Sequence, residues 1–159
     1  MDIDAVYAAG FFDGEGYVDI YNYYSSGKSK SPSFILRVIV TQKDGQIMNW
    51  LKDRYGGSVM LRPNRGKHYI YNWTAHSRVA EKFLKTIQPF AKLKRPQIDL
   101  ALEFVSRKKN HGWFDSKSRK FTGLTEEELE IRFNMQKKLK EMKKVYILYQ
   151  ESGTGTTTE

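Results

Sequence analysis

Four short segments of the chain alternate hydrophobic and polar residues, and a period of two is typical of β-strands that bury one face. In the segment Tyr17–Tyr24, Val18 and Ile20 fall on one face, whereas the tyrosines and Asp19 fall mostly on the other. The alternating segments predict two hairpins. We place the first at Tyr17–Tyr24 and Ser33–Gln42, and the second at Ser58–Pro63 and Lys67–Ala75.

Apolar residues at helical spacing predict helices around these hairpins. They cover Asp4–Asp13, Gly45–Tyr55, Ser77–Ile87, Pro96–Lys109 and Thr125–Tyr149. The order helix, hairpin, helix, hairpin, helix, with extra C-terminal helices, predicts an α+β fold in which one four-stranded antiparallel sheet is backed by helices. We predict a loop over residues 110–123, a single domain over residues 1–151 and a disordered tail over residues 152–159.

The charge balance gives the first indication of a partner. Lys and Arg number 27 against 18 Asp and Glu, a formal net charge of +9. A basic surface implies an anionic partner, and nucleic acid is the first candidate. The absence of cysteine excludes disulfides, thiolate metal sites and cysteine nucleophiles. No window approaches the roughly 18 apolar residues of a membrane span, so we expect no membrane partner.

The segment Ala8–Gly16 carries the most informative pattern. Gly10 and Gly14 lie four residues apart and therefore share one face of the first predicted helix. A glycine pair at this spacing lowers helix stability but lets another backbone approach closely, including that of a symmetry mate. Glu15 follows at the carboxyl end, where the helix dipole disfavours a carboxylate. Two interpretations stay open: a metal ligand, or a solvated glutamate at a glycine-rich helix end.

This segment resembles the LAGLIDADG motif, and three later segments resemble the same family in the same order. They are Val40-Thr41-Gln42-Lys43, Gln88-Pro89-Phe90-Ala91-Lys92-Leu93-Lys94 and Asp115-Ser116-Lys117-Ser118-Arg119-Lys120. The similarity is to the single-motif, homodimeric LAGLIDADG homing endonucleases. The chain departs from their pattern at Ala8, where leucine is usual, at Glu15, where the nearest relatives have aspartate, and at Gln46, where a relative has a basic residue.

The resemblance implies a site-specific DNA endonuclease with the αββαββα homing-endonuclease fold. Its catalytic residues would be Glu15, Gln42 and Lys94, and Glu15 with the carbonyl of Gly14 would bind Mg²⁺, for which Mn²⁺ substitutes. The dimer would make a staggered double-strand break in a long pseudo-palindromic DNA target, and so initiate intron homing inside the cell that holds the target DNA. The homodimer interface would include Val6, Ala9, Gly10, Asp13 and Gly14.

In this family the sheet lies along the DNA, so alternate strand residues would face the bases. From the first hairpin the predicted contacts are Asp19, Tyr21, Tyr23, Lys28, Lys30, Ser33, Arg37 and Ile39. From the second they are Arg62, Asn64, Arg65, Lys67, Tyr69, Tyr71 and Trp73. Backbone contacts are expected from Arg107 to Lys109, and from Ser116, Lys117, Arg119 and Lys120. The alternatives are that the aromatic residues form a packing stripe and that the basic runs form a solvated face.

Two other functions stay open on the same fold. Some members of the family are RNA maturases, for which the host intron RNA would be the partner, and others bind DNA without cutting it. Because Glu15, Gln42 and Lys94 are all present, catalysis is the favoured function. The three histidines, His68, His76 and His111, have no spacing typical of a metal site and receive no catalytic role.

Overall fold

The computed structural model describes residues 2–24, 31–63, 69–110, 114–115, 120–121 and 123–152, and for 109–110, 114–115, 120–121 and 144–152 only the backbone. The helices are α1 (Ile3–Glu15), α2 (Gly45–Tyr55), α3 (Ser77–Ile87), α4 (Arg95–Asn110) and α5 (Glu126–Ser152). The strands are β1 (Gly16–Tyr23), β2 (Ser33–Gln42), β3 (Ser58–Pro63), β4 (Tyr69–His76), β5 (Phe114–Asp115) and β6 (Lys120–Phe121). The predicted α+β class is confirmed.

Several element boundaries differ from the predicted ones by one to three residues, including the end of α5 at Ser152, and the differences matter most in α1 and in the predicted loop. Helix α1 begins one residue earlier, at Ile3, because the Asp2 carboxylate caps it by accepting a hydrogen bond from the Ala5 amide at 3.2 Å. The same helix runs on through Glu15, so β1 starts without an intervening loop. The segment predicted as a loop contains the short antiparallel pair β5 and β6, in which Phe114 lies opposite Phe121.

The main sheet has the strand order β1-β2-β4-β3, with every neighbouring pair antiparallel. Its two central strands come from different hairpins, so the hairpins join side by side through β2 and β4. The register places Arg37 opposite both Asp19 on β1 and His76 on β4. The edge strands of this sheet are therefore β1, which follows directly on α1, and β3.

One face of the sheet forms the hydrophobic core. The buried residues of β2 are Phe34, Leu36, Val38 and Val40, which alternate with less buried ones, apart from Ile39. On β4 the indole of Trp73 is fully buried, packs 4.8 Å from the Phe83 ring and donates a hydrogen bond to the Gly56 carbonyl. Phe12 of α1 also contacts Phe83, at 5.9 Å between ring centres. The helices thus cover one face and leave the other available.

Helix α5 covers the edge strand β1. Its Gln136 amide donates to the Ile20 carbonyl at 2.6 Å and to the Asn22 side chain at 3.1 Å. An edge strand exposes unpaired backbone groups that invite pairing with another chain, and Gln136 satisfies one of them. Within the described part of the chain, no helix is both long enough and apolar enough to pass through a membrane.

A buried ion-pair network holds α5 to α4. Glu128 accepts hydrogen bonds from Arg132 at 2.7 Å and from Arg107 at 3.0 Å, and Arg132 is fully buried. Next to it the Lys108 ammonium donates to the Phe34 carbonyl at 2.7 Å. Arg107 and Lys108, which were predicted to contact the DNA backbone, are therefore both engaged within the chain but remain partly exposed, and their contacts to DNA stay a prediction.

The Glu128 network predicts a specific loss of stability. Burial alone would raise the pKa of Glu128, but the hydrogen bonds and charges of Arg132 and Arg107 outweigh it and hold this pKa below its ordinary value. Glu128→Gln breaks the ion pair with the buried Arg132 guanidinium, so the free energy of unfolding should fall by about 3 to 5 kcal/mol. Urea unfolding measures this value, and Glu130→Gln on the same helix provides the control.

The same pKa shift fixes the pH dependence of this contribution. Because the folded-state pKa of Glu128 lies below the unfolded-state value, the ionised carboxylate stabilises the fold fully above the unfolded-state pKa. The contribution is lost as the pH falls through the folded-state pKa. The stability difference between wild type and Glu128→Gln should therefore shrink in acid, and a difference that stays constant down to acid unfolding would contradict the ionic interpretation.

Candidate active site

The C-terminal end of α1 places a carboxylate at the margin of the sheet. Glu15 is the last residue of the helix and is exposed. Gly16 then starts β1, and a Cβ atom at this position would overlap the Phe12 ring, so the chain can turn this closely only with glycine. This close turn fixes Glu15 at the point where α1 meets β1.

Lys94 lies beside this helix end, although it is far away in sequence. Only 7% of the residue is exposed, and its ammonium donates to the Phe12 carbonyl at 3.0 Å and to the Gly14 carbonyl at 3.4 Å. These carbonyls form the negative end of the α1 dipole, which favours a cation. Burial lowers the pKa of Lys94, the charges of Asp13 and Glu15 oppose that shift, and Lys143 adds to it.

Asp13 connects the same helix end to the segment that carries Lys94. Its carboxylate accepts hydrogen bonds from the backbone amides of Lys92 at 2.8 Å, Leu93 at 3.1 Å and Lys94 at 2.9 Å. The sequence-based assignment of Asp13 to a homodimer interface overlooked this role, because the partners of its side chain lie about eighty residues away.

Glu15 and Lys94 share a pocket of about 190 Å³ at this junction. Sequence reasoning missed two other residues that line it, Gln97 of α4 and Lys143 of α5. The Lys143 ammonium lies 3.8 Å from the centre of the Tyr17 ring. The helical spacing of Gln136, Leu139 and Lys143 was the signal for a common α5 face, but only the packing of α5 on β1 directs that face to the pocket.

Gln42 occupies the end of β2, as predicted, but its contacts are local. Its side-chain oxygen accepts a hydrogen bond from the Lys43 amide at 2.7 Å. Gln42 is not among the residues that line the pocket shared by Glu15 and Lys94. Of the three predicted catalytic residues, the single chain therefore brings two together, and the part assigned to Gln42 stays a prediction.

The uncovered face of the sheet is polar and aromatic along β1 and β2, and its two charged residues there form an ion pair. Arg37 donates to Asp19 at 2.6 Å, and its guanidinium carbon lies 4.8 Å from the centre of the Tyr21 ring. Tyr21 also contacts the imidazole of His76 at 6.1 Å between ring centres. Burial, and to a lesser extent the Arg37 charge, lowers the pKa of His76 below its ordinary value, so that at neutral pH this side chain is uncharged.

The predicted residues of β1, β2 and β3 lie on this uncovered face, but Ile39 among them is buried and exposes little surface for a DNA contact. The β1 and β2 members of the face share one register: Asp19 pairs with Arg37, Tyr21 with Ile35, and Tyr17 with Ile39. On β3 and β4, Arg62 pairs with Ile70 and Met60 with Asn72. Across β2 and β4 the Thr41 hydroxyl donates to the Asn72 side chain at 3.0 Å. Further members on β1 and β2 are Tyr23, at the exposed end of its strand, and Ser33.

The assignment of Trp73 and Tyr71 on β4 to this face is wrong. Trp73 is fully buried in the core, and Tyr71, two residues away on the same side of the strand, packs half-buried against that core. Tyr69 has the same parity but is 62% exposed near the strand end. The residues that face outwards are those of the other parity, and they include Asn72, Thr74 and His76.

A compositional signal could have corrected this choice. In β4 the aromatic residues share one parity and the polar ones the other, and an aromatic stripe next to a polar stripe is typical of the buried face. Lys28, Lys30, Asn64, Arg65, Lys67, Ser116, Lys117 and Arg119 lie outside the described residues, and of Lys120 only the backbone is described, in β6.

The outer face of α1 is exposed along its length. Ile3 is 75% exposed, Tyr7 53% and Val6 40%, and a Cβ atom at Gly10 or Gly14 would meet no other atom of the chain within 4 Å. Ala9, in contrast, is fully buried, so its assignment to a homodimer interface is wrong for the chain as folded here. The glycine pair therefore belongs to an apolar surface with space for another backbone.

Comparison with known proteins identifies the family. A family model described as LAGLIDADG endonuclease matches residues 8–97, which is more than half of the chain. No curated protein sequence matches the chain significantly. The fold is similar to the homing endonuclease I-CvuI, solved with uncleaved target DNA in the presence of magnesium: the TM-score is 0.64 and the identity 16%, over 88% of this chain and 82% of that one.

Two other solved structures give the same result. The LAGLIDADG meganuclease I-AabMI, bound to uncleaved DNA, has a TM-score of 0.63 and 22% identity, over 86% of this chain and 47% of that one. The archaeal intron-encoded homing endonuclease I-Vdi141I, complexed with DNA, has a TM-score of 0.57 and 16% identity, over 87% of this chain and 98% of that one. The structural likeness establishes a common fold, and with the match of the family model it follows that the chain belongs to the LAGLIDADG endonuclease family.

Proposed function

We propose that this protein is a homing endonuclease that hydrolyses phosphodiester bonds in both strands of a long, nearly palindromic DNA site. The observation that carries the proposal is the meeting of Glu15 and Lys94 in one pocket at the margin of an uncovered sheet face. A carboxylate can bind a divalent cation, and a buried ammonium can stabilise negative charge on a phosphate. Both lie next to a surface that can follow DNA, which suits phosphodiester hydrolysis. The protein would act on the DNA of the host genome.

Sequence recognition is proposed for the uncovered face of the sheet. A two-stranded ribbon or a curved sheet fits the major groove, where each base pair presents a distinct set of donors and acceptors. Arg37 is the strongest candidate for reading a guanine, because Asp19 and Tyr21 already hold its guanidinium in one position. Asn72, Thr74 and Arg62 extend the same face towards the other edge of the sheet.

The donors at the helix end fit a hard divalent cation such as Mg²⁺ or Mn²⁺. The Glu15 carboxylate and the Gly14 carbonyl supply oxygen ligands, which these ions prefer. Among the described residues there is no cluster of three or more acidic, histidine or cysteine side chains, so DNA phosphates, water and a second copy of Glu15 would complete the ligand set. Such a cation, when bound, polarises the scissile phosphate and lowers the pKa of an attacking water.

The chain's own residues prepare the site for a phosphate. As the water oxygen bonds to phosphorus and the bond to the leaving sugar oxygen breaks, negative charge grows on the phosphate oxygens. Lys94 supplies a fixed positive charge for that moment, because its ammonium is held by two carbonyls rather than moving in solvent. Lys143 adds a second cation at the same pocket, and Gln42 is proposed to order water near it.

Two copies of the chain are proposed to form a homodimer through the exposed face of α1. Gly10 and Gly14 allow two α1 helices to approach closely, while Ile3, Val6 and Tyr7 supply the apolar surface. Twofold symmetry brings together two Glu15 residues, and a symmetric pair of sites cuts both strands with a stagger. It also requires two related half-sites in the target.

Removal of the Glu15 charge is expected to abolish cleavage and to preserve binding. We would incubate a randomised duplex library with wild type or Glu15→Gln in Mg²⁺, and select for binding in Ca²⁺. Wild type should cut one long pseudo-palindromic site, and Glu15→Gln should bind the same site with a cleavage rate reduced at least about 100-fold. Glu103→Gln, an exposed carboxylate of α4, provides the matched control.

The other outcomes of this experiment assign the protein to its alternatives. Sites enriched by binding but never cut by wild type would make the chain a DNA-recognition module. No enrichment of any DNA would rule out the proposal and make the host intron RNA the next ligand to test, as for a maturase.

A bulky residue at Gly10 should separate folding from dimer formation. In Gly10→Leu the added side chain meets open space in the single chain, so the melting temperature of the monomer should not fall. The same side chain would keep two α1 helices apart, so sedimentation should show a monomer where wild type is a dimer. Lys82→Leu on α3 adds an equal apolar side chain at an exposed position elsewhere and should leave the dimer intact. A dimeric Gly10→Leu would refute this interface.

Arg37 should determine one base pair in each half-site. Arg37→Gln is expected to weaken specific binding by about 1–3 kcal/mol and to relax the preference at a single symmetric position. Binding to a library in Ca²⁺, followed by sequencing, measures both effects. Trp73→Phe is the control, because a substitution in the core should lower the melting temperature without changing any base preference. An unchanged preference in Arg37→Gln would remove this residue from the readout.

A further inference from the structure

The end of α1 and the segment before α4 are joined by one carboxylate. Asp13 accepts three backbone hydrogen bonds, two through Oδ2 from Lys92 and Leu93 and one through Oδ1 from Lys94. Hydrogen bonds to an ionised acceptor are stronger than those between neutral groups. A carboxylate that gathers three successive amides therefore fixes the path of residues 92–94 relative to α1.

Hydrogen bonds hold Lys94 both at its backbone amide and at its side-chain ammonium. The Lys94 amide donates to Asp13, and its ammonium donates to the carbonyls of Phe12 and Gly14, the two residues that flank Asp13. The Lys94 carbonyl also accepts the bond from the Ile98 amide that begins α4. Lys94 is thus held between α1 and α4. Among these contacts, the Asp13 carboxylate is the side chain that accepts hydrogen bonds from backbone amides.

We infer that Asp13 is a positioning residue for the cleavage reaction, and that it holds the Lys94 ammonium at the distance from Glu15 at which phosphate charge is stabilised. The inference rests on the proposed function, since it assigns Asp13 an effect on Lys94. Asp13 does not contact substrate in this role, because its oxygens are already directed at the three amides.

The chemistry requires aspartate rather than an amide of the same shape. A carboxylate has acceptors on both oxygens, whereas asparagine would turn an NH₂ donor towards one or two of the backbone N–H groups. The substitution Asp13→Asn would therefore release part of the segment and let Lys94 move away from the helix end. A shift of about 1 Å in a group that stabilises the transition state is enough to slow a reaction strongly.

The test measures single-turnover cleavage by Asp13→Asn in Mg²⁺ and DNA affinity in Ca²⁺. The cleavage rate should fall about 10- to 100-fold, the range observed when supporting hydrogen bonds of a site are removed, and the affinity should not change. Asp99→Asn is the matched control: this carboxylate also lies near the start of α4, but it accepts bonds from the side chains of Gln88 and Arg95, and the variant should cleave as wild type does.

A double-mutant cycle separates positioning from general stability. In a Lys94→Met background the ammonium is absent, so Asp13→Asn should cause no further loss of rate. An equal loss in both backgrounds would mean that Asp13 supports only the fold, and wild-type cleavage by Asp13→Asn would likewise overturn the inference. If Asp13→Asn does not fold, Asp13→Glu serves instead, because it keeps the charge but moves it one methylene further from the backbone. Its cleavage rate should fall when Lys94 is present and should not fall further in the Lys94→Met background.

A readout that does not depend on cleavage separates this inference from the proposed function. The amide protons of Lys92–Lys94 should resonate downfield in wild type, and in Asp13→Asn they should move upfield and exchange faster. Without these changes the carboxylate does not hold the segment, and the inference fails even if the enzyme cuts DNA. If the changes occur but wild type cuts no DNA, the proposed function fails and, with it, the catalytic role of these hydrogen bonds.

Discussion

The contact between the Lys94 ammonium and the carbonyl end of α1 is the interaction on which the site depends. A buried cation costs several kcal/mol unless charges or dipoles compensate it. Here the compensation comes from the Phe12 and Gly14 carbonyls, with Asp13 and Glu15 close by. Because these carbonyls and carboxylates belong to neighbouring residues at the end of α1, the Lys94 cation cannot be stabilised without bringing the start of α4 to the start of β1. The same requirement places Glu15 beside Lys94.

The rest of the fold assigns the hydrophobic core to one face of the sheet and the proposed recognition surface to the other. The helices bury one face of the sheet, in which Trp73 and Phe83 are central, and the opposite face keeps its polar and charged residues accessible. Helix α5 protects the edge strand β1 through Gln136 and is itself anchored to α4 by the Glu128 network. The uncovered face can therefore vary in sequence with little effect on the core, because successive residues of a strand point to opposite faces.

A single chain supplies only part of the proposed catalytic centre. Its described residues include one exposed carboxylate at the helix end and no group of three metal-ligating side chains. The exposed α1 face, with space at Gly10 and Gly14, offers the means to bring in a second copy of that carboxylate. Symmetry would then give the reaction its two cuts and the target its repeated half-sites.

The sequence by itself determined the elements of the fold and the identity of the central groups. Alternation in β1 and β2, helical spacing in α2 and α3, and the glycines around Glu15 are local patterns, and local physics fixes them. The segment of Lys94 was predicted through its resemblance to a family and not through any local pattern. The buried side of β4 was mispredicted although its pattern is equally local, because Trp73 shares its parity with the other aromatic residues of the strand and lies in the core.

Tertiary structure decided the roles of Asp13, Arg107 and Lys143. The partners of Asp13 lie about eighty residues away, Arg107 is paired with Glu128 of another helix, and Lys143 reaches the pocket only because α5 packs on β1. A charged residue has the same sequence signature whether it binds DNA, closes an ion pair or supports a catalytic group. The difference arises from long-range packing, which sets the burial and the partners of each charge, and no local pattern contains that information.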